Sequence, residues 1–470
     1  MIQYRSKSSA TVRAREVHRL GHGNARLSSM VASSGRRAAN NHGDESQPKP
    51  TKMKDTRGDD PFFVRPVLIV AVALIALLSK IGIALTTLGT NDVIAFYKFA
   101  EALETHGLIW TYEHSILFNH PPLVGYFLRG LVWLAHQSFF ERNGLMFPFL
   151  LRLPGIIADF CVVLLLLAVA REYPHLRPPR WALLLFAASP VSIMVSGFHG
   201  NTDSIMVLFL FLAAVMALRD QPLLCGVFLA LSCQVKIIPL LLLPIFFFFW
   251  LKHRQLGWFL SSFFSSSLLF CAEPLLRSPV SFVKNVLAYG SFWGIWGLTY
   301  CLRMTGLNEF NKVSFFKLTE AQNAIIMLLK VMIILGILLL AWRRRNLPPP
   351  ALFASIGYAW LIFFVLSPGV AAQYLVWLAP FILLLSPTFY GFLVAGSSIF
   401  LFAFYTINSG GFPWYFAYAS NKLSGLCALW ALIPWLTLVG GLFALMSKAR
   451  RQNPHFRFVS LAPIEGQEKQ

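Results

Sequence analysis

Charge is scarce in this sequence. Only 13% of its 470 residues are Asp, Glu, Lys or Arg, about half the roughly 25% of an average soluble chain. Hydrophobic residues make up 56%, with 43 Phe and 13 Trp among them. A soluble fold of this length leaves about a quarter of its surface exposed and has nowhere to hide so much apolar material. A soluble enzyme, a nucleic-acid binder and a disordered scaffold are excluded. Acids are scarcer than bases, and the formal net charge is +20. The basic residues do not form a nucleic-acid surface, because they gather in the N-terminal tail and between apolar segments, where they report membrane topology. The six cysteines, Cys161, Cys225, Cys233, Cys271, Cys301 and Cys427, show no CxxC spacing. Most sit in apolar runs as small hydrophobes, so neither a zinc site nor a disulfide framework is expected. There is no glycine-rich phosphate loop, and no obvious internal repeat.

What is present is apolar sequence in blocks. Residues 1–60 are polar and rich in Arg, Ser, Gly and Asn, with eight Lys/Arg and one acid, Glu16, before Gly43. They read as a disordered cytoplasmic tail or an upstream extension, with an organelle transit peptide as the alternative. Residues 61–447 read as the transmembrane domain and 448–470 as a basic cytoplasmic tail. Spans of about 20 residues are expected near 62–86, 149–170, 181–198, 203–219, 222–236, 237–251, 257–273, 322–342, 350–367, 374–387, 389–406 and 427–447. The fold class is therefore an all-α polytopic membrane bundle of about 12 helices.

The apolar stretch 121–136 decides the parity. Read as an interfacial helix in the first non-cytoplasmic loop, it leaves the basic clusters Arg171–Arg180, Lys252–Arg254, Arg343–Arg345 and Lys448–Arg451 on the cytoplasmic side with both termini. Lying flat, it would bury Leu123, Phe127, Leu131 and Leu134, extend Arg129 to headgroups and bring His120 beside Asp92. The polar segments Thr90–Pro122, Phe198–Ser204, Pro274–Glu320 and Ser367–Tyr374 then share the opposite face.

Those segments carry the chemistry. Asn91 is the expected N-cap of a helix that places Asp92 at the outer membrane surface, either as a dipole-compensating acid or as a general base. Arg152 and Asp159, seven residues apart, are read as an intramembrane pair. Lys236 lies some 20 Å along its span from Pro222, at a depth where a lysine is costly and usually functional.

Four motifs in order carry a family likeness. The first loop runs Asp92…Glu101…Trp110-Thr-Tyr112…His120-Pro-Pro-Leu123 and resembles the first luminal loop of GT-C glycosyltransferases that use polyprenyl-phosphate sugars. Gly197-Phe-His199-Gly-Asn201-Thr-Asp203-Ser204 is similar to their second luminal motif. Gln234-Val-Lys236-Ile-Ile-Pro239 and Gln373-Tyr374-Leu-Val-Trp377-Leu-Ala-Pro380 are similar to the Lys-x-x-Pro and Gln-Tyr-x-x-Trp…Pro elements of its mannose-transferring branch. That branch includes the first mannosyltransferase of GPI assembly and bacterial polyprenyl-phosphate-mannose-dependent enzymes. The His-Glu-Lys type cluster of the glucosyl branch is replaced by uncharged Val370-Ala-Ala-Gln373, which favours the mannosyl branch and leaves the phosphate-binding cation open.

The resemblance implies transfer of a hexose, mannose, from a polyprenyl-phosphate donor to a lipid, glycan or protein acceptor, with inversion and without a metal or cofactor. Asp92 is then the base. His120, His199, Asn201, Asp203, Lys236, Gln373 and Tyr374 are the expected substrate-binding residues, and Lys80 and Arg303 are further candidates for the phosphate. The membrane would be a bacterial inner membrane or the endoplasmic reticulum, with the site on its non-cytoplasmic face. A transporter or lipid-oligosaccharide flippase is the alternative; it calls for polar residues at the bilayer midplane and inverted repeats.

Overall fold

Hydrocarbon offers the backbone no hydrogen-bond partners, so apolar runs must close their bonds within helices. The structure, a computed structural model that describes residues 66–287, 291–314 and 317–452, follows that rule. Among these residues the only named strands are the two-residue pieces Gly89–Thr90 and Phe416–Ala417, paired in parallel. The segments expected as tails, 1–60 and the chain beyond Gln452, lie outside the described residues.

Among the described residues seven helices are long and apolar enough to cross a membrane: Pro66–Thr86, Phe147–Glu172, Arg180–His199, Leu256–Arg277, Glu320–Arg344, Pro387–Ser409 and Gly425–Lys448. The other five expected spans are short helices of 10 to 17 residues, Asp203–Leu218, Pro222–Val235, Ile238–Lys252, Ala351–Leu366 and Ala372–Leu385. At 1.5 Å per residue even 17 residues reach only about 25 Å, less than a roughly 30 Å hydrocarbon core. These are the spans whose sequence runs were already short, and all five form helices. The interruptions fall at the polar motifs: Asp203 opens one short helix, Lys236 follows the last residue of another, and Ser367 follows Leu366.

Two ends of the bundle are chemically distinct. At one end Arg219 binds Glu172 (3.1 Å), Gln255 binds Asp220 (3.2 Å), and Lys252 donates to the carbonyls of Asn346 and Leu347 (both 3.1 Å). The basic loops after residues 171, 252 and 343 therefore meet. The polar motifs collect at the other end.

Helices approach closely where side chains are small. A Cβ on Gly226 would stand 2.1 Å from Ser262 Oγ and 2.5 Å from the Phe259 carbonyl. The Pro222–Val235 and Leu256–Arg277 helices thus touch backbone to backbone, a contact that packing rather than hydrophobicity stabilises in lipid.

The first loop builds a second, smaller core. Val93, Phe96 and Leu103 of the Asn91–Thr105 helix pack with Leu128 and Val132 of the Pro122–Ala135 helix and with Leu151 and Phe282. The Pro122–Ala135 helix starts next to His120, and the next long helix begins at Phe147, whose ring contacts Tyr97 (centroids 5.2 Å apart). Chain direction is thus unchanged across 121–146, as expected for a helix that does not cross. Within the protein Val124, Leu128, Leu131 and Val132 are buried, Leu123, Phe127 and Leu134 half-buried, and Arg129 is exposed.

Candidate active site

The helix that carries Asp92 is held at its N-terminus by Thr90, not Asn91. The Thr90 hydroxyl accepts from the Asp92 N–H (3.3 Å) and donates to the His199 carbonyl (2.8 Å). Asn91 instead accepts the Ala419 N–H through its side-chain oxygen (3.2 Å). The cap fails at Asn91 because the segment before it, Gly89–Thr90, is fixed against Phe416–Ala417.

His199 ends a π-helical turn, Ile193–His199, and Gly200 follows with φ of 80°. Such wide turns cluster at functional sites. Any side chain at position 200 would place Cβ 2.3 Å from Val93 Cγ2. The turn leaves carbonyls without helical partners, and buried Arg152 meets them. Its guanidinium donates to the carbonyls of Pro148, Ala84, Thr87, Gly197 and Phe198, and to Thr87 Oγ1. Arg152 does not pair with Asp159. Seven residues separate them by about 10 Å along the helix axis, and Asp159 binds Lys80 (2.7 Å) and Ser192 (2.6 Å). Lys80 lies in that second cluster, away from Asp92.

Around Asp92 the far-apart motifs meet. Its Oδ2 accepts from Asn201 Nδ2 (2.9 Å), His199 Nε2 (3.1 Å) and Gln373 Nε2 (3.3 Å). Three donors on one oxygen leave Oδ1 directed elsewhere, and the side chain retains 33% exposure. Burial works to raise the Asp92 pKa, but the hydrogen bond from His199, then the charge of Lys236 and the Asn201 hydrogen bond, hold it below its usual 3.8. The carboxylate is ionised at neutral pH and presents one oxygen to a proton.

Lys236 stands where the Pro222–Val235 helix breaks into extended backbone. Its ammonium pairs with Asp203 Oδ1 (2.8 Å) and lies 4.7 Å from the centre of the Tyr374 ring. Trp377 Nε1 donates to the same aspartate oxygen. Asp203 is wholly buried, so it holds Lys236 and does not reach a ligand.

Residues 119–252 match the family model of an alpha-(1->6)-mannopyranosyltransferase, N-terminal domain (MptA_B family). The match bears out the likeness to mannosyltransferases drawn from the motifs, and it supports mannose transfer. It spans His120, His199, Asn201, Asp203 and Lys236, whereas Asp92, Gln373 and Tyr374 lie outside it. No curated protein matches the chain.

The matched and unmatched motifs enclose one cavity of about 580 Å³. Asp92, His120, His199, Asn201, Lys236, Gln373 and Tyr374 line it; Asp203 lies behind Lys236, and neither Lys80 nor Arg303 is on its wall. Arg303 packs on Tyr300 and reaches the Gly425 carbonyl. The His120 ring is enclosed by Phe96, Phe99 and Phe118. Burial, assisted by the charge of Lys236, pushes its pKa down to about 3, so it acts as a neutral group.

Two participants are absent from the sequence reading. Lys284, on the Pro279–Val286 helix, is exposed on the cavity wall, and nothing in the sequence sets it apart from Arg277, Arg303, Lys312 and Lys317 of the same outer segment. Tyr405, inside an apolar run, contacts His199 Nδ1 through its hydroxyl (2.9 Å); nothing local distinguishes it from a core aromatic. Part of the wall is apolar, formed by Phe400, Phe404, Cys427, Ala428 and Ala431.

Proposed function

We propose that this protein is an integral-membrane glycosyltransferase that moves mannose from a polyprenyl-phosphate donor to an acceptor hydroxyl on the non-cytoplasmic side. Residues 61–447 form its catalytic domain. One observation carries the reading: a carboxylate with a free oxygen and a buried ammonium line a single cavity that also has an apolar stretch of wall. A lipid-linked sugar phosphate needs all three features.

In the proposed reaction the acceptor hydroxyl gives its proton to Asp92 Oδ1 as its oxygen attacks the anomeric carbon. The bond from that carbon to the phosphate oxygen breaks, with inversion, and the electron pair leaves on the polyprenyl phosphate. Lys236 meets the growing negative charge; Lys284 is the other lysine on the cavity wall among the described residues. The phosphate is already an activated leaving group, so the scheme uses no metal or cofactor. The isoprenoid chain lies along Phe400, Phe404 and the small residues Ala428 and Ala431. A transporter or flippase is less well supported, because the polar groups that line the large cavity gather at one end of the bundle, and the Lys80–Asp159–Ser192 cluster nearer its middle lies outside that cavity.

The test is purified protein in lipid with a panel of polyprenyl-phosphate sugars and an NMR assignment of the product anomer. Inverted mannosyl product is expected, and Asp92→Asn should bind donor normally while turning over about 10²-fold more slowly or worse. Near-normal transfer by Asp92→Asn, or retention at the anomeric carbon, would overturn the scheme.

A further inference from the structure

The Tyr405 hydroxyl, His199 and Asp92 form a directed chain that the reaction scheme leaves unused. Tyr405 lies in the Pro387–Ser409 helix, wholly buried, with Phe198 and Trp414 against its ring at 5.2 and 5.3 Å. Its hydroxyl is 2.9 Å from His199 Nδ1, and His199 Nε2 is 3.1 Å from Asp92 Oδ2. An ionised carboxylate only accepts, so Nε2 must carry the hydrogen. In a neutral imidazole Nδ1 is then the acceptor, and the phenol must donate.

We propose that Tyr405 is a positioning residue that fixes the Nε2–H tautomer of His199 and thereby keeps Asp92 Oδ2 engaged and Oδ1 free for the acceptor. This rests on the reading of Asp92 as the base. Without the hydroxyl, Nδ1 is a buried acceptor with no donor. The carboxylate still favours Nε2–H, but the unpaired Nδ1 in the core opposes it, and the Nδ1–H tautomer becomes populated with the ring turned from Asp92. Asp92 then loses the hydrogen bond of His199, and its proton affinity rises. The ionisable or charged groups facing Asp92 and His199 are His120, Lys236, Lys284, Asp203 and Arg152. None of these is hydrogen-bonded to Nδ1, whose partner among the described residues is Tyr405.

The chain is tested with Tyr405→Phe, which removes one oxygen. Expected results are a kcat lowered roughly 10-fold or more, a donor KM unchanged, and an acid limb of the pH–rate profile moved to higher pH. An unmoved acid limb would overturn the proposal, whether kcat holds or falls. If that variant does not fold, 3-fluorotyrosine at position 405 keeps the shape and strengthens the donor; an acid limb indifferent to fluorine also overturns it. A readout independent of turnover separates this proposal from the function it rests on. In ¹⁵N-histidine-labelled protein, with the His199 signals assigned by His199→Gln, the wild type should show a protonated Nε2 and a bare Nδ1, and Tyr405→Phe should not. Loss of mannosyl transfer in the wild type would sink the function alone, whereas an unaltered His199 tautomer in Tyr405→Phe sinks the chain.

Discussion

Lys236 and Asp203 form an ion pair of 2.8 Å in which the aspartate is wholly buried and the lysine nearly so. Removal of either partner strands a charge in low dielectric, at about 3–5 kcal/mol. Asp203→Asn and Lys236→Met should each destabilise the protein by that amount in detergent thermal unfolding. The double variant should lose much less than the sum. Strict additivity would mean that the two charges do not depend on each other.

Arg152 donates to five backbone carbonyls, those of Gly197 and Phe198 in the π turn and of Ala84, Thr87 and Pro148 beside it. Each buried acceptor left without a donor costs about 1–3 kcal/mol, so Arg152→Met should destabilise by more than about 3 kcal/mol. Arg152→Lys should recover little, because an ammonium lacks the planar fork that spans the carbonyls. Wild-type stability of the lysine variant, read by the same melts, would refute the clamp.

His120 supplies a pH signature. Its folded pKa is depressed from 6.5 to about 3, so the unfolded chain takes up a proton that the folded chain refuses. Stability from this group is present above pH 6.5 and lost as pH falls from there toward 3. His120→Phe should flatten the decline of Tm over that window. Catalysis, in contrast, should show no His120 limb near 6.5, and its Asp92 limb should fall below 3.8. A limb near 6.5 that disappears in His120→Phe would contradict this assignment.

Topology is open to chemical labelling. His175 is exposed at the end with the basic loops, and Cys301 is exposed on the Gly297–Met304 helix. That helix belongs to the other end, since Thr299 donates to the carbonyl of Pro368, close to Gln373. In a Cys301→Ser background, His175→Cys should react with impermeant maleimide only from the cytoplasmic side, and Cys301 of the native chain only from the other. Labelling of both from one side would reverse or break the assigned orientation.

The helical, polytopic architecture was legible because it follows from composition and length: an apolar run in lipid has no stable form but a helix or a closed barrel. The reading of residues 121–136 as a helix that does not cross drew on Arg129 and the basic loops, and Asp92, His199, Asn201, Lys236 and Gln373 were marked by motifs. Tertiary structure alone decided what those residues touch. Asp92 and His199 are 107 positions apart, His199 and Tyr405 206, Lys80 and Asp159 79. Helical periodicity says which residues share a face, but not which helix packs against that face. Hence the expected Arg152–Asp159 pair gave way to Lys80–Asp159, and Asp203 proved to be buried behind Lys236. Likewise Thr90 replaced Asn91 as cap, since the choice depended on a strand contact with Phe416–Ala417 more than 300 residues away in the chain.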